Sequence, residues 1–222
     1  MSEPELIVML TFNDHTVKNA CEIFRQCKDT PVKYWGMKED GLPVTEMKKI
    51  FAEMKQAGKT TVLEVVAYNE PDCMAGARIA HECSCDMLVG TLFFPSVKEF
   101  CEKNNIKYMP YVGKVSERPS VLDGTIEEMV KEAEVYAEQG VYGINLLGYR
   151  HVSDKFNLSK SVVSLSKIPV CLAGGINSYE RLDKVKEISP WAFTIGSAFF
   201  QNCFGESFKE QVETVYNYIN KE

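Results

Sequence analysis

Histidine is scarce, with 3 in 222 residues. His15, His81 and His151 fall in no HxxxH or similar spacing, so a histidine-rich metal site is not expected. The 8 cysteines include no CxxC pair. Cys83-Ser-Cys85 is a lone CxC without a second ligand pair nearby, which argues against zinc. Most of the others sit among apolar residues, as Cys21, Cys101 and Cys171 do, and are expected as buried free thiols in a reducing cytosol. There is no basic run, and the net charge is −6, so neither nucleic acid nor an anionic membrane is an expected partner. No apolar run reaches membrane-spanning length. The start, MSEPELIVMLTFND, has no basic residue before its short apolar run at 6–12, so neither a signal peptide nor a membrane span is expected, and the location expected is cytoplasmic. No GxGxxG turn follows the first strand-like run, which argues against an open dinucleotide-binding sheet. No linker or low-complexity segment divides the chain.

What is present is a steady alternation. Short apolar runs of strand length are followed by segments with apolar residues at helical spacing. Strands are expected over 5–12, 32–38, 60–68, 87–92, 106–112, 141–147, 169–173 and 191–195. Helices are expected over 16–27, from Pro43 to a stop at Gly58, over 71–83, from Pro95, and over 125–139, 158–166, 179–188 and 208–219. Thr125 and Glu128 have the spacing of a capping box. The 222 residues suffice for one sizeable core and leave room mostly for brief loops. Eight strand–helix units in this length imply a single-domain α/β fold, a (β/α)8 TIM barrel.

Chemistry in such a barrel sits at the C-terminal ends of the strands, so polar residues there are the candidates. In the third strand, Leu63, Val65 and Ala67 share one face. Glu64, Val66 and Tyr68 then point to the barrel axis, because strand side chains alternate. A carboxylate inside an apolar strand needs a cation, a metal, hydrogen bonds or a raised pKa. Glu64 is therefore a candidate acid or base, or one half of a structural ion pair. Lys38 ends the second strand; with Tyr34 and Gly36 it faces inward, although Lys33 and Trp35 offer the opposite set. It is a partner for Glu64, a contact for phosphate or carboxylate, a Schiff-base lysine, or an exposed lysine of the following polar loop. Asn145, mid-strand beside Gly143, either orients a substrate hydroxyl, holds Glu64 or makes a structural hydrogen bond. Thr11 and Asn13 share the inner face of the first strand, and Asn13 is a candidate ligand contact. Asp14 is a ligand contact or a helix cap, and reads best as the cap. The loop 113–124, with Lys114, Ser116, Glu117 and Arg118, is a lid or a solvated connector. After the sixth strand come Tyr149, Arg150, a candidate for binding carboxylate or phosphate bidentately, and His151, an acid or base or, as a lone loop histidine more often is, simply exposed.

Residues 169–197, PVCLAGGINSYERLDKVKEISPWAFTIGS, read as strand, glycine turn, helix, strand, glycine turn. Bare backbone at Gly174, Gly175, Ile176, Gly196 and Ser197, beside helix starts, suits an anion and above all a phosphate. Otherwise these are only tight turns.

The AGGIN and TIGSAFF segments, with GVYGINLLGY in support, resemble the phosphate-binding barrels. That group includes ribulose-phosphate binders, tryptophan- and histidine-pathway barrels, phosphosugar epimerases and phospho-keto-acid aldolases. The strand–helix rhythm is similar over nearly the whole chain. The LLGY and AGGIN spacing is similar to the N-acylmannosamine-6-phosphate epimerases, which carry a lysine in strand 3 and a glutamate in strand 7, where this chain has Glu64 and Ala173. The length is similar to the phospho-keto-deoxy-acid aldolases, which carry a Schiff-base lysine in strand 6, where this chain has VYGINLLGY, and a glutamate in strand 2. LEVVAYNE does not match the DxKxxD pattern of the decarboxylase group. The resemblance implies a small phosphorylated metabolite as partner and no cofactor or metal. It implies a phosphosugar isomerase, epimerase or carbon–carbon lyase of carbohydrate metabolism, working through an enolate-like intermediate. Glu64 would be its base or acid, Lys38 its electrophile and Asn145 its orienter. A barrel that senses a phosphometabolite without turnover, and a metal-assisted enzyme using Glu64 and an aspartate, are the alternatives. Such barrels are frequently homo-oligomers.

Overall fold

The computed structural model describes residues 3–153 and 155–221. Its centre is eight parallel strands: β1 (Glu5–Met9), β2 (Tyr34–Lys38), β3 (Thr60–Val65), β4 (Met87–Gly90), β5 (Lys107–Met109), β6 (Ile144–Leu146), β7 (Val170–Leu172) and β8 (Ala192–Ile195). They are hydrogen-bonded in the order β6-β7-β8-β1-β2-β3-β4-β5. The two ends of that order meet just past β5, where Tyr111 bridges Asn145 in parallel and the Asn145 N–H donates to the Pro110 carbonyl at 2.8 Å. Parallel neighbours need a crossover. Helices α1 (Ala20–Cys27), α2 (Val44–Gln56), α3 (Glu70–Glu82), α4 (Pro95–Lys103), α5 (Ile126–Glu138), α6 (Lys155–Leu165) and α7 (Tyr179–Ile188) supply it. The short α8 (Ser197–Phe200) and the closing α9 (Phe208–Asn220) follow β8. The result is the expected (β/α)8 barrel.

Alternation along each strand builds two cores. Ile7, Met9, Tyr34, Val62, Met87, Val89, Met109, Cys171 and Ala192 fill the barrel. Val8, Trp35, Leu63 and Leu88 point the other way, into the layer beneath the helices. There Trp35 meets Phe24 of α1 edge-on, with centroids 5.2 Å apart. Each such side chain, fully buried, contributes roughly 1.5–3 kcal/mol. At the N-terminal end, Trp191 packs edge-on against Tyr34 and Tyr142, at 5.5 and 5.7 Å. That aromatic plug leaves the opposite end for a ligand. Helix starts are fixed locally: Asn69 and Ser178 cap α3 and α7, and Thr125 with Glu128, and Ser207 with Glu210, form capping boxes.

The departures from expectation cluster at the barrel mouth. The first strand stops at Met9, and Thr11–Phe12 pairs antiparallel with His15–Thr16. Asn13 and Asp14 turn this hairpin with φ of 48° and 69°, the positive pair that a two-residue hairpin loop favours. Asp14 is therefore not a helix cap, and α1 starts only at Ala20. The loop 113–124 is a second hairpin, Lys114–Ser116 with Val121–Asp123. Strand β3 ends at Val65, short of Tyr68. Strand β5 ends at Met109, before Pro110, which has no N–H to give a ladder. Helix α6 begins at Lys155, ahead of residue 158.

Candidate active site

The register of β2 on β3 sets Lys38 beside Glu64, and both point into the barrel at its C-terminal end. The Lys38 side chain is 6% exposed, and its Nζ lies 3.9 Å from Glu64 Oε2. The same ammonium donates to Asp14 Oδ1. Glu64 thus has the cation that its burial demanded, and the lysine has two carboxylates. The Lys38 backbone is fixed as well, because Thr16 Oγ1 both donates to its carbonyl and accepts from its N–H, each at 2.9 Å. Asp14 accepts a second charged bond, from Arg118 Nε at 2.8 Å. Burial works to raise the Asp14 carboxyl, but the hydrogen bond and charge of Lys38, then those of Arg118, hold it below its ordinary value. Nearby Glu39 is pushed the other way, chiefly by burial, although Val66 N–H and Arg118 oppose the rise.

The glycine turns face this cluster across the mouth. Gly174 and Gly175 have φ of 80° and 75°, which a side chain would strain. A Cβ at Gly174 would also lie 2.7 Å from Arg150 Nε, and one at Gly196 2.5 Å from Thr11 Oγ1. Helix α8 begins directly after Gly196, and the first N–H groups of a helix have no partner within it. Arg181, in the first turn of α7, donates to the Gly175 carbonyl and lies 5.1 Å over the Tyr149 ring. One cavity of about 260 Å³ joins the two sides, lined by Thr11, Asp14, Lys38, Glu64, Leu147, Arg150, Gly174 to Asn177, Gly196, Ser197 and Gln201, among others.

Lys38, Glu64, Arg150, Gly174, Gly175, Ile176, Gly196 and Ser197 therefore converge. Asn13 does not: it is exposed at the hairpin turn. Asn145 lies in the barrel wall, fully buried, and neither amide atom has a partner among the described residues. His151 is not exposed; it is 5% accessible, with Nε2 3.0 Å from the Gly124 carbonyl. Sequence reasoning sets Asp14 aside as a cap, and misses the reach of Arg118 and Arg181. Only a fold brings Arg118 to a carboxylate 104 positions away.

The second hairpin lies across this mouth. Arg118 holds Asp14 and approaches Glu39 at 3.3 Å. Tyr68 Oη donates to the Glu117 carbonyl at 2.6 Å and lies 2.8 Å from Ser120 Oγ, and Arg150 donates to the Ser120 carbonyl at 3.3 Å. All 8 cysteines are free. Among the described residues, no three His, Cys, Asp or Glu side chains are grouped to hold a metal ion, and no helix is long and apolar enough to cross a membrane.

No protein-family model and no curated protein matches this sequence. Solved structures do. An orotidine 5′-monophosphate decarboxylase from Methanocaldococcus jannaschii, complexed with the inhibitor BMP, is similar over 99% of this chain and 100% of that one, with TM-score 0.72 and 16% identity. A native KDPGal structure is similar over 99% and 94%, with TM-score 0.69 and 13% identity. The N-acetylmannosamine-6-phosphate 2-epimerase of Clostridium perfringens is similar over 88% and 87%, with TM-score 0.64 and 16% identity. The chain is a TIM barrel. At such identities the likeness carries the architecture alone, and the chemistry has to come from the residues of the cavity.

Proposed function

We propose that this barrel is an enzyme acting on a small phosphorylated sugar or sugar acid, as an isomerase, epimerase or carbon–carbon lyase. The observation that carries the reading is that the Lys38–Glu64 pair and the glycine turns line one cavity. The phosphate is held by the backbone at Gly174, Gly175, Gly196 and Ser197, with Arg150 as its counter-charge. The carbon chain then runs toward Glu64. Its carboxylate takes the proton from a carbon next to a carbonyl; in a lyase it takes instead the hydroxyl proton of the departing carbon, which leaves as an aldehyde or ketone while the electron pair of the broken carbon–carbon bond passes into the enolate. The Lys38 ammonium donates to the carbonyl oxygen as it gains negative charge, which stabilises the enolate. Asp14 holds that ammonium and Thr16 fixes the Lys38 backbone behind it, so little reorganisation is left for the reaction step. The hairpin over the mouth limits water access.

A sensor without turnover is the second reading. It is favoured by Ala173 standing at the end of strand 7, where the resembling epimerases carry a glutamate. A thermal-shift screen with inorganic phosphate, phosphorylated sugars and phosphorylated keto-acids tests the binding step, with Gly175→Asp as control. A ligand at a hundred times its dissociation constant adds about 2.7 kcal/mol of stability. A shift with one compound, lost in the control, is expected. That compound then goes into a turnover assay, where Glu64→Gln should lower kcat by roughly 10²–10⁴. Binding without turnover would establish the sensor, and no shift with any phosphorylated compound would defeat both readings.

A further inference from the structure

The charges of the cavity are divided unevenly between its two ends. Among the described residues that line it, the basic side chains are Lys38 and Arg150, and the acidic ones are Asp14 and Glu64. Arg150 stands at the glycine-turn end, its Nε 2.7 Å from where a Cβ on Gly174 would be. Lys38, Asp14 and Glu64 stand together at the other end, with side chains 6%, 11% and 13% exposed. That end therefore holds two carboxylates and one ammonium, and burial leaves them poorly screened.

Among the described residues, no cation is left over there for a second anion. Lys38 donates to Asp14 and lies 3.9 Å from Glu64. Arg118 stands outside the cavity lining. It donates to Asp14 at 2.8 Å and is shared with Glu39 at 3.3 Å and Asp40 at 3.9 Å. Burial works to raise the Asp14 carboxyl, but Lys38 and then Arg118 hold it below its ordinary value, so it keeps its charge at neutral pH. A neutral carbonyl or hydroxyl oxygen can accept a remaining proton of the Lys38 ammonium, which has three to give. A carboxylate in the same place would set a third negative charge beside two already present, and a poorly screened site of like charge repels it.

We propose that the cavity takes phosphorylated aldehydes and ketones whose carbon chain is uncharged and rejects phosphorylated sugar acids and keto-acids: Asp14 and Glu64 turn away a carboxylate at the end where Lys38 receives the carbonyl oxygen. This selectivity rests on the phosphate reading of the glycine turns and narrows the substrate class given with it, since it strikes out the sugar acids. For a lyase it makes the substrate a sugar phosphate and not a keto-acid. It also gives Asp14 a part in specificity, through its charge, besides its hold on Lys38.

The test is titration calorimetry on the full chain, with inorganic phosphate and three pairs of equal carbon number. The pairs are glyceraldehyde 3-phosphate with 3-phosphoglycerate, erythrose 4-phosphate with 4-phosphoerythronate, and fructose 6-phosphate with 6-phosphogluconate. Both members of a pair carry the same phosphate, so their ratio of affinities reads the far end of the cavity alone. At least one pair should bind the wild type, and in each that does, the sugar should bind about tenfold or more tighter than the acid. Asp14→Asn and Glu64→Gln each remove one negative charge, so each should lower that ratio about threefold or more, mainly by tightening the acid. If one variant fails to fold, the other decides, and the wild-type comparison needs neither. An acid that matches or exceeds its sugar in the wild type overturns the proposal. So does a ratio that neither variant lowers, because shape and not charge would then discriminate. The phosphate reading survives both results. Binding of inorganic phosphate alone also overturns the proposal and spares that reading, whereas binding of no phosphorylated probe and no inorganic phosphate overturns both.

Discussion

Asp14 holds two cations that arrive from different parts of the chain, Lys38 from a barrel strand and Arg118 from the hairpin over the mouth. Its carboxyl is lowered from 3.8 in the folded protein. A lowered carboxyl stabilises the fold above the unfolded-state value, and that contribution fades as pH falls through the folded one. Asp14→Asn should therefore cost about 1–3 kcal/mol at neutral pH. Urea unfolding of both proteins from pH 7 to pH 3 should show a constant gap down to about pH 4 and a narrowing gap below it. A gap that widens with acid would mean that the Lys38 and Arg118 contacts do not hold in solution. Glu39 has the opposite linkage: its carboxyl is raised, so its contribution is present at low pH and lost as pH rises through the folded value. At this scale the sequence is half legible. Period-two alternation sends Glu64 inward, while for Lys38 it leaves two registers open, and the pairing with the third strand settles the choice. Asp14 is not legible, because Asn-Asp before a polar stretch serves a helix cap and a hairpin turn equally well, and the choice falls to pairing partners.

The hairpins are the elements that periodicity does not find. Strands of two or three residues are too short to show a period, and the apolar alternation of the barrel strands runs into them without a break. The barrel strands and their helices are legible because each buries a continuous face. The second hairpin, by contrast, is held by a few polar contacts made across the mouth. Arg118 is 37% exposed at its side chain and reaches Asp14 and Glu39. Such a partly exposed ionic link contributes about 1 kcal/mol. Arg118→Ala should therefore speed hydrogen exchange of amides 114–123 about five- to tenfold and leave the barrel amides as they are, since Tyr68 and Arg150 keep the hairpin over the site. Unchanged hairpin exchange would show that Arg118 does not tie it down.

At the scale of the whole molecule the barrel has one weak seam. Strands β2 and β3 share a register of five residue pairs, Tyr34 with Thr60 through Lys38 with Glu64. Among the described residues, strands β5 and β6 meet through the single bridge of Tyr111 with Asn145. Two local features keep the seam short. Pro110 can accept at this edge and cannot donate, and the Tyr111 N–H is committed to Thr91 on the other side. The bridge also carries unpartnered side-chain atoms, so packing without side-chain hydrogen bonds holds it at this depth. Proteins open first where few backbone bonds and buried contacts hold. Hydrogen exchange followed by mass spectrometry should therefore show the amide of Asn145 and its neighbours in β6 exchanging ahead of those in β2 and β3, under conditions where the barrel as a whole stays folded. Equal protection of β6 and β3 without ligand would mean that the barrel is uniformly closed, and that the unpaired atoms at Tyr111 and Asn145 do not weaken it.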